Sequence, residues 1–278
     1  MTAGPSSPSL SGRTVVVTGA SSGIGRAIAE RLGAAGAHVV LGGRTRDAME
    51  ESVARITAAG GSGEAHVHDV RAVPEARALV DRAVDATGRL DVMVNNAGVS
   101  YPGTIVDAEP EHWRTMLETN VFALLVGSQA AVRAMRACGA EGHIVNISSV
   151  ASLQPASGVY GATKHAVRCV NETLRRELQD EPIKVVSIMP GAIATSFARN
   201  FDPAVLELLV GTMGGEVAGD FTQGQRLPDE ALAQAQRMMA DHLCAPEDVA
   251  DAVLWAITRP AGVHLAELVV RPKKDLNL

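Results

Sequence analysis

The sequence predicts an α/β fold in which helices cover both faces of a mainly parallel β-sheet. Short runs rich in β-branched residues alternate with Ala-rich segments of helical length, which is the pattern of repeated β-α-β units. The runs are almost continuously apolar, as expected of strands that are buried on both faces of a parallel sheet. With 278 residues, of which 46% are hydrophobic, the chain is long enough for one large domain with a substantial core.

The predicted strands need no second domain. They are residues 13–18, 38–42, 64–68, 90–95, 143–148, 184–189 and 267–271. Right-handed crossovers between these strands give a doubly wound sheet. The leader, residues 1–11, is rich in Pro and Ser and is expected to be disordered, so a single domain covers residues 12–278. The alternation breaks at about residues 196–245, and an insertion of this length is either a lid or a disordered segment, of which we favour a substrate lid.

Composition excludes several classes of function. The formal net charge is -6, and no run of Lys and Arg forms the basic surface that nucleic acids require. Cys138, Cys169 and Cys244 are odd in number and widely spaced, which favours a reducing, cytoplasmic setting over disulfides or zinc. His66 and His68 lack a third ligand at metal spacing, so no metal site is expected. The leader lacks the features of a signal peptide and no apolar stretch approaches the roughly 20 residues that span a bilayer, so no membrane partner is expected.

A glycine-rich turn joins the first predicted strand to the first predicted helix. The segment "TGASSGIG", residues 18–25, places Gly19, Gly23 and Gly25 there. Glycines permit a tight turn and a close approach of the backbone, and the free N–H groups at a helix start attract pyrophosphate. The spacing G-x-x-x-G-x-G differs from the G-x-G-x-x-G fingerprint. The turn therefore indicates a dinucleotide site chiefly through its place between a strand and a helix.

Five motifs together resemble the short-chain dehydrogenase/reductase family. They are "TGASSGIG" (18–25), "NNAG" (95–98), "NISS" (146–149), "YGATK" (160–164) and "PGAIAT" (190–195), in the order and rough spacing of that family. The resemblance is close over residues 12–195, returns in the C-terminal tail, and is missing from the insertion. It implies a Rossmann-type sheet of about seven parallel strands in the order 3-2-1-4-5-6-7, which binds a nicotinamide dinucleotide over its C-terminal edge. It also implies a homotetramer or homodimer formed through long helices at about 110–138 and 158–180.

The resemblance assigns a catalytic tetrad to Asn120, Ser149, Tyr160 and Lys164. Tyr160 would exchange a proton with the substrate oxygen, and because a free phenol titrates near 10, the cation of Lys164 four residues along is expected to lower its pKa. Ser149 would hydrogen-bond the substrate oxygen. Ser148 is an alternative, since the segment that leads to Tyr160 is about two residues shorter than the common family pattern. Asn120 would hold a water in the proton relay.

The end of the second predicted strand bears on the choice of cofactor. Gly43 stands where NAD-preferring relatives carry Asp, and Arg44 follows it, which favours the 2′-phosphate of NADP(H) over NAD(H). Ser22 stands where some NADP-preferring members carry a second basic residue. Asp69 matches the residue that contacts the adenine amino group, and Thr195 matches the one that holds the nicotinamide carboxamide. All positions that the resemblance assigns to the cofactor are Gly19, Ser21, Ser22, Gly23, Ile24, Gly25, Arg44, Asp69, Val70, Asn95, Asn96, Ala97, Gly98, Tyr160, Lys164, Pro190, Gly191, Ile193 and Thr195.

These observations predict an NADPH-dependent oxidoreductase that reduces a small-molecule carbonyl to an alcohol, or catalyses the reverse reaction. An NAD-dependent hydroxyl dehydrogenase is the alternative enzyme, and a dinucleotide-sensing protein without catalysis is the alternative of another class. The substrate pocket is expected between the loop after Ser149, the stretch Val99–Ile105 and the insertion. Phe197, Phe201 and Phe221 in the insertion are candidates for an apolar wall.

Overall fold

The computed structural model confirms a seven-stranded sheet in the order β3-β2-β1-β4-β5-β6-β7, with parallel pairing throughout. It describes residues 9–195 and 240–274, together with residues 233 and 237. The strands are β1 Thr14–Thr18, β2 His38–Gly43, β3 Ser62–Val67, β4 Val92–Asn95, β5 His143–Ile147, β6 Lys184–Pro190 and β7 Glu267–Val270. Both the predicted fold class and the predicted strand order are therefore correct.

Helices cover both faces of this sheet. They are α1 Gly23–Ala34, α2 Arg46–Ala58, α3 Val73–Thr87, α4 Pro110–Leu117, α5 Ala123–Cys138, α6 Gly158–Glu177 and α7 Pro246–Ile257. Successive residues of β1 show why its sequence is continuously apolar: Val15 and Val17 belong to the apolar layer under α1 and α7, whereas Val16 belongs to the layer under α3 and α5. Because both faces are buried, alternation with polar residues is not expected.

The order of the strands places the candidate site. The chain builds outward from β1 to β2 and β3, then returns to the other side of β1 with β4. In an open α/β sheet, ligands bind outside the carboxyl ends of the strands at this reversal. Every motif of the sequence analysis that follows a strand therefore reaches the same edge.

One expected boundary differs from the structure. Leu10 is only 5% exposed, and its N–H donates to the Ala35 carbonyl at 2.7 Å. Residues 9–11 therefore do not belong to a disordered leader, because Leu10 fills the apolar layer beside α1; residues 1–8 lie outside the described residues. Cys244, at the C-terminal end of the expected insertion, pairs with Ile193 in an isolated parallel bridge, so this end lies beside the segment that precedes the insertion.

Apart from residues 233, 237 and 240–245, the predicted lid lies outside the described residues, as do Phe197, Phe201 and Phe221, and it stays a prediction. The expected helix at 110–138 is present but interrupted, since a π-helical turn, Glu118–Phe122, joins α4 to α5. We call the continuous helical segment Pro110–Cys138 the α4–α5 rod. Among the described residues it is the one helix long and apolar enough, by length and composition, to cross a membrane. A core helix passes the same test, and α5 buries Ala131 and Met135 against the sheet.

Candidate active site

The glycine-rich turn forms a cradle that side chains would fill. Gly19 and Gly23 have φ of +66° and +55°, in the left-handed region that favours glycine. A Cβ on Gly25 would lie 2.3 Å from the Gly19 carbonyl oxygen, so backbone excludes it. Ser22 precedes α1 in an extended conformation, and its side chain makes no capping hydrogen bond. The first N–H groups of α1 are thus left for an anion, and the cradle fits a pyrophosphate.

Hydrogen bonds of Thr18 and Asn96 connect the glycine-rich turn to the end of β4. The Thr18 hydroxyl oxygen accepts hydrogen bonds from the N–H groups of Asn96 (3.0 Å) and Ala97 (3.1 Å). The Asn96 side-chain amide donates to the carbonyls of Thr18 (2.9 Å) and Gly19 (3.3 Å). Sequence reasoning missed Thr18, although a hydroxyl residue that ends the strand before a glycine turn could have indicated it.

Asn95 belongs to the same motif but its side chain is used inside the protein. Its amide donates to the Ser128 hydroxyl at 3.0 Å and to the Asn146 side-chain oxygen at 2.8 Å, and Asn95 is 5% exposed. The side chain therefore ties β4 to β5 and α5. A contact of Asn95 with a cofactor would have to be made by its backbone, and this contact stays a prediction.

The ends of β2 and β3 carry the charged groups of the site. A side chain on Gly43 would face the glycine turn, since its Cβ would lie 3.4 Å from both the N and the Cβ of Ser21. Arg44 follows and is exposed. After β3, the Asp69 carboxylate pairs with the Arg71 guanidinium, with 2.6 Å between Oδ2 and Nη2. The Arg71 hydrogen bonds lower the pKa of Asp69 to about 2, and the positive charge of Arg44 acts in the same direction.

The segment after β6 closes over the turn. A Cβ on Gly23 would lie 3.2 Å from the Thr195 methyl carbon, so Thr195 covers the start of α1. The N–H of Gly191 donates to the Val270 carbonyl at 2.8 Å, and Ile193 is held by its bridge to Cys244. Pro190 ends β6 in the core. Of the remaining predicted positions, Ile24 packs against the apolar layer under α1, and Val70 lies after β3 between Asp69 and Arg71.

The tetrad residues meet at the amino-terminal end of α6. The Tyr160 side chain forms a hydrogen bond with that of Ser149, which follows β5. The Lys164 ammonium lies 5.7 Å from the Tyr160 ring centroid and donates to the Ile147 carbonyl at 3.0 Å. Ser148 is 4% exposed, and its hydroxyl has no hydrogen-bond partner among the described residues. The geometry therefore favours Ser149 over Ser148 as the serine beside the reacting oxygen.

Asn120 lies in the π-helical turn and connects the loop after β4 to α6. Its Oδ1 accepts from the Val99 N–H at 2.9 Å, and its Nδ2 donates to the Val99 carbonyl at 2.9 Å and to the Thr163 hydroxyl at 3.1 Å. Thr163 in turn donates to the Tyr160 carbonyl at 2.6 Å. The Asn120 side chain is thus connected to Tyr160 through Thr163. The sequence analysis did not identify Thr163. The water that Asn120 would hold stays a prediction.

Gly98 lies between the cofactor cradle and the tetrad. A Cβ on Gly98 would lie 3.4 Å from the Asn120 Oδ1 and 3.8 Å from the Lys164 Nζ. The predicted cofactor residues after β4 and the predicted catalytic residues are therefore neighbours in space. A cofactor bound over the cradle would therefore reach the predicted catalytic residues at this edge of the sheet.

Burial dominates the electrostatics of the tetrad. It raises the pKa of Tyr160 to about 12, although the hydrogen bond with Ser149 acts in the opposite direction. It also lowers the pKa of Lys164 to about 8. Tyr160 is consequently protonated at neutral pH and can act as a proton donor. The Lys164 ammonium donates to the Ile147 carbonyl, and the expectation that this cation, together with a bound oxidised nicotinamide, lowers the pKa of the phenol stays a prediction.

Comparison with known proteins agrees with this geometry. A family model described as short chain dehydrogenase matches residues 13–205. An uncharacterized oxidoreductase of Staphylococcus haemolyticus is 34% identical over 269 residues, which cover 95% of this chain and 98% of that protein. The chain belongs to the short-chain dehydrogenase family. It is accordingly an NAD(P)-dependent oxidoreductase, and its Rossmann-type sheet is the fold of that family.

Solved structures similar to this dehydrogenase contain both forms of the cofactor. A metagenomic short-chain oxidoreductase in complex with NADP has 31% sequence identity and a TM-score of 0.72, and the match covers 96% of this chain and 99% of that one. A short-chain dehydrogenase/reductase of Burkholderia phymatum in complex with NAD has 28% identity and a TM-score of 0.75, with 93% and 89% covered. Relatives therefore support a nicotinamide dinucleotide, and the choice between its two forms depends on this chain's own residues.

Proposed function

We propose that this dehydrogenase uses NADPH to reduce a ketone or other carbonyl to an alcohol, or catalyses the reverse reaction, with Tyr160 as the acid or base. The observation that carries the proposal is the contact between Tyr160 and Ser149 beside the buried cation of Lys164. A protonated phenol, a second hydroxyl and a cation around one point form a site that can receive a carbonyl oxygen and protonate it.

When bound, the nicotinamide supplies the hydride that is added to the carbonyl carbon. Tyr160 gives its proton to the carbonyl oxygen, so the C=O bond becomes CH–OH. The Ser149 hydroxyl donates a hydrogen bond to the same oxygen as negative charge develops on it. Lys164 stabilises the phenolate that remains until solvent returns the proton, and by resemblance it also hydrogen-bonds the nicotinamide ribose.

The residues after β2 support NADPH as the reductant. Gly43 offers no carboxylate to the ribose 2′-hydroxyl and no repulsion to a 2′-phosphate, and the exposed guanidinium of Arg44 is next to it. We expect Arg44→Ala to weaken NADPH binding roughly tenfold to a hundredfold, the value of a charge-assisted hydrogen bond, and to leave NADH binding unchanged. Arg46→Ala is the matched control, because Arg46 is exposed and pairs with Glu50. An unchanged ratio of NADPH to NADH affinity in Arg44→Ala would contradict this assignment.

We also propose that the chain assembles as a homotetramer or homodimer in the cytoplasm. Leu117, Phe122 and Leu125 leave an exposed apolar surface on the α4–α5 rod, which the resemblance assigns to the subunit contact. The free thiols of Cys138, Cys169 and Cys244 support a reducing compartment. Light scattering coupled to size-exclusion chromatography measures the molar mass, and the mass of a single chain would contradict the assembly.

Oxidation of NADPH and, in parallel, of NADH by the purified protein tests the function. The substrate panel contains ketones, β-keto acids, quinones and polycyclic ketones, because no motif selects among them. We expect turnover with NADPH and little with NADH. Tight NADPH binding without turnover of any carbonyl would instead favour the dinucleotide-sensing protein.

A further inference from the structure

The Asp69 carboxylate binds the Arg71 guanidinium, two residues further along the chain. The Arg71 Nε lies 3.0 Å from Oδ1 and 3.1 Å from Oδ2 of Asp69, its Nη2 lies 2.6 Å from Oδ2, and its backbone N–H donates to Oδ1 at 3.0 Å. The N–H of Asp69 donates to the Glu75 carboxylate at 2.8 Å, which fixes the loop after β3. Both oxygens of the Asp69 carboxylate are therefore engaged by one cation.

This carboxylate lies close to the group that would recognise the 2′-phosphate. β2 and β3 are adjacent, with Gly43 opposite Val67, so Arg44 and Asp69 follow the ends of neighbouring strands. The charge of Arg44 is near enough to act on the Asp69 carboxyl. An uncompensated carboxylate here would repel a 2′-phosphate, which carries a charge of about -1.5 to -2, and would compete with it for Arg44.

We propose that Arg71 is a specificity-determining residue that neutralises Asp69 and so leaves Arg44 free for the 2′-phosphate of NADPH. This inference rests on the NADPH preference proposed above. Arg71 acts through Asp69, and no contact between Arg71 and the cofactor is required. The bidentate geometry makes Arg71 the favoured partner of the carboxylate, because a planar guanidinium satisfies both of its oxygens.

The expected effect is moderate because the pair is partly solvated. The side chains of Asp69 and Arg71 are 35% and 40% exposed, and salt screens charges at such sites. An uncompensated carboxylate at the end of β3, beside the end of β2 that carries Arg44, is expected to weaken NADPH binding by about threefold to tenfold at low ionic strength. NADH lacks the phosphate, so its dissociation constant is expected to stay the same.

The test compares dissociation constants of NADPH and NADH, measured by fluorescence titration at low and at moderate salt. We expect Arg71→Gln to weaken NADPH binding by about threefold to tenfold with NADH unchanged, and the loss to shrink as salt is added. In the double variant Asp69→Asn/Arg71→Gln, the ratio of the NADPH to the NADH dissociation constant is expected to return to within about twofold of the wild-type ratio, since the repelling charge is gone. The ratio is the quantity compared because Asp69 is also assigned to the adenine, which both cofactors carry. Arg77→Gln, which removes an exposed cation from α3, is the control for net charge and is expected to change neither constant.

Three outcomes would overturn the proposal. An equal loss for NADPH and NADH would show that Arg71 only maintains the local fold. If the added Asp69→Asn change failed to restore the wild-type ratio of NADPH to NADH affinity, Arg71 would contact the phosphate itself. No change in Arg71→Gln, while Arg44→Ala weakens NADPH binding, would leave the proposed function intact and remove the role of Arg71. If the wild-type protein and Arg44→Ala showed no preference for NADPH, the proposed function would fail instead.

Discussion

The buried ammonium of Lys164 predicts that a catalytic residue destabilises the fold that holds it. Lys164 is 5% exposed, and burial lowers its pKa from an ordinary value of 10.5 to about 8. One unit corresponds to about 1.4 kcal/mol, so keeping this charge in the folded protein costs about 3 kcal/mol at neutral pH. Lys164→Met has a similar length and no charge, and we expect it to be more stable than the wild type by up to this amount.

The pH dependence of the stability difference between Lys164→Met and the wild type shows whether the buried charge causes it. A lysine whose pKa is lower in the folded state binds fewer protons there than in the unfolded state between about pH 8 and 10.5, so its contribution to stability rises with pH across this window. The advantage of Lys164→Met is therefore expected to be full below pH 8 and to vanish above 10.5.

Urea denaturation of both proteins at several pH values measures this difference. Lys274→Met is the control, because Lys274 is 60% exposed and pairs with Asp241 on the surface. It is expected to change stability by less than about 1 kcal/mol. A Lys164→Met protein that is less stable than the wild type at pH 7, by an amount that does not vary up to pH 10.5, would refute the reasoning.

Two further predictions follow from the cradle and from the tetrad. In Gly25→Ala the new Cβ would lie 2.3 Å from the Gly19 carbonyl, so cofactor affinity is expected to fall by more than about tenfold in a titration; Gly262→Ala, which has open space, is the control. The pH profile of kcat/KM for carbonyl reduction is expected to be flat near neutrality and to fall above about pH 8, where Lys164 loses its proton while Tyr160, with a pKa of about 12, keeps its own. A profile that stays flat to pH 10 would contradict the requirement for a charged lysine.

The sheet was predictable because local patterns determine it. β-Branched runs such as Val15–Val17 have no polar residue, and burial on both faces is the physical reason. The cradle was predictable for a similar reason, since only glycine suits positions where a Cβ would meet backbone at Gly25. In both cases the cause acts within a few residues or through a single type of packing.

The features that the sequence did not predict depend on contacts between distant parts of the chain. The π-helical turn at Asn120 leaves no mark in the apolar spacing of its helix, and its partners Val99 and Thr163 lie 21 and 43 residues away. The direction of the Lys164 ammonium toward the Ile147 carbonyl likewise depends on β5. By contrast, the pair of Asp69 and Arg71 is local, and the charges in "HDVR" could have indicated it.

The most direct test of the account is the Tyr160→Phe variant, measured for NADPH binding and for turnover of a carbonyl that the wild type reduces. Phenylalanine keeps the ring on α6 and removes the proton donor and its hydrogen bond with Ser149. We expect NADPH binding to be retained and turnover to fall by several orders of magnitude. A Phe variant whose kcat is close to that of the wild type would contradict the role of Tyr160.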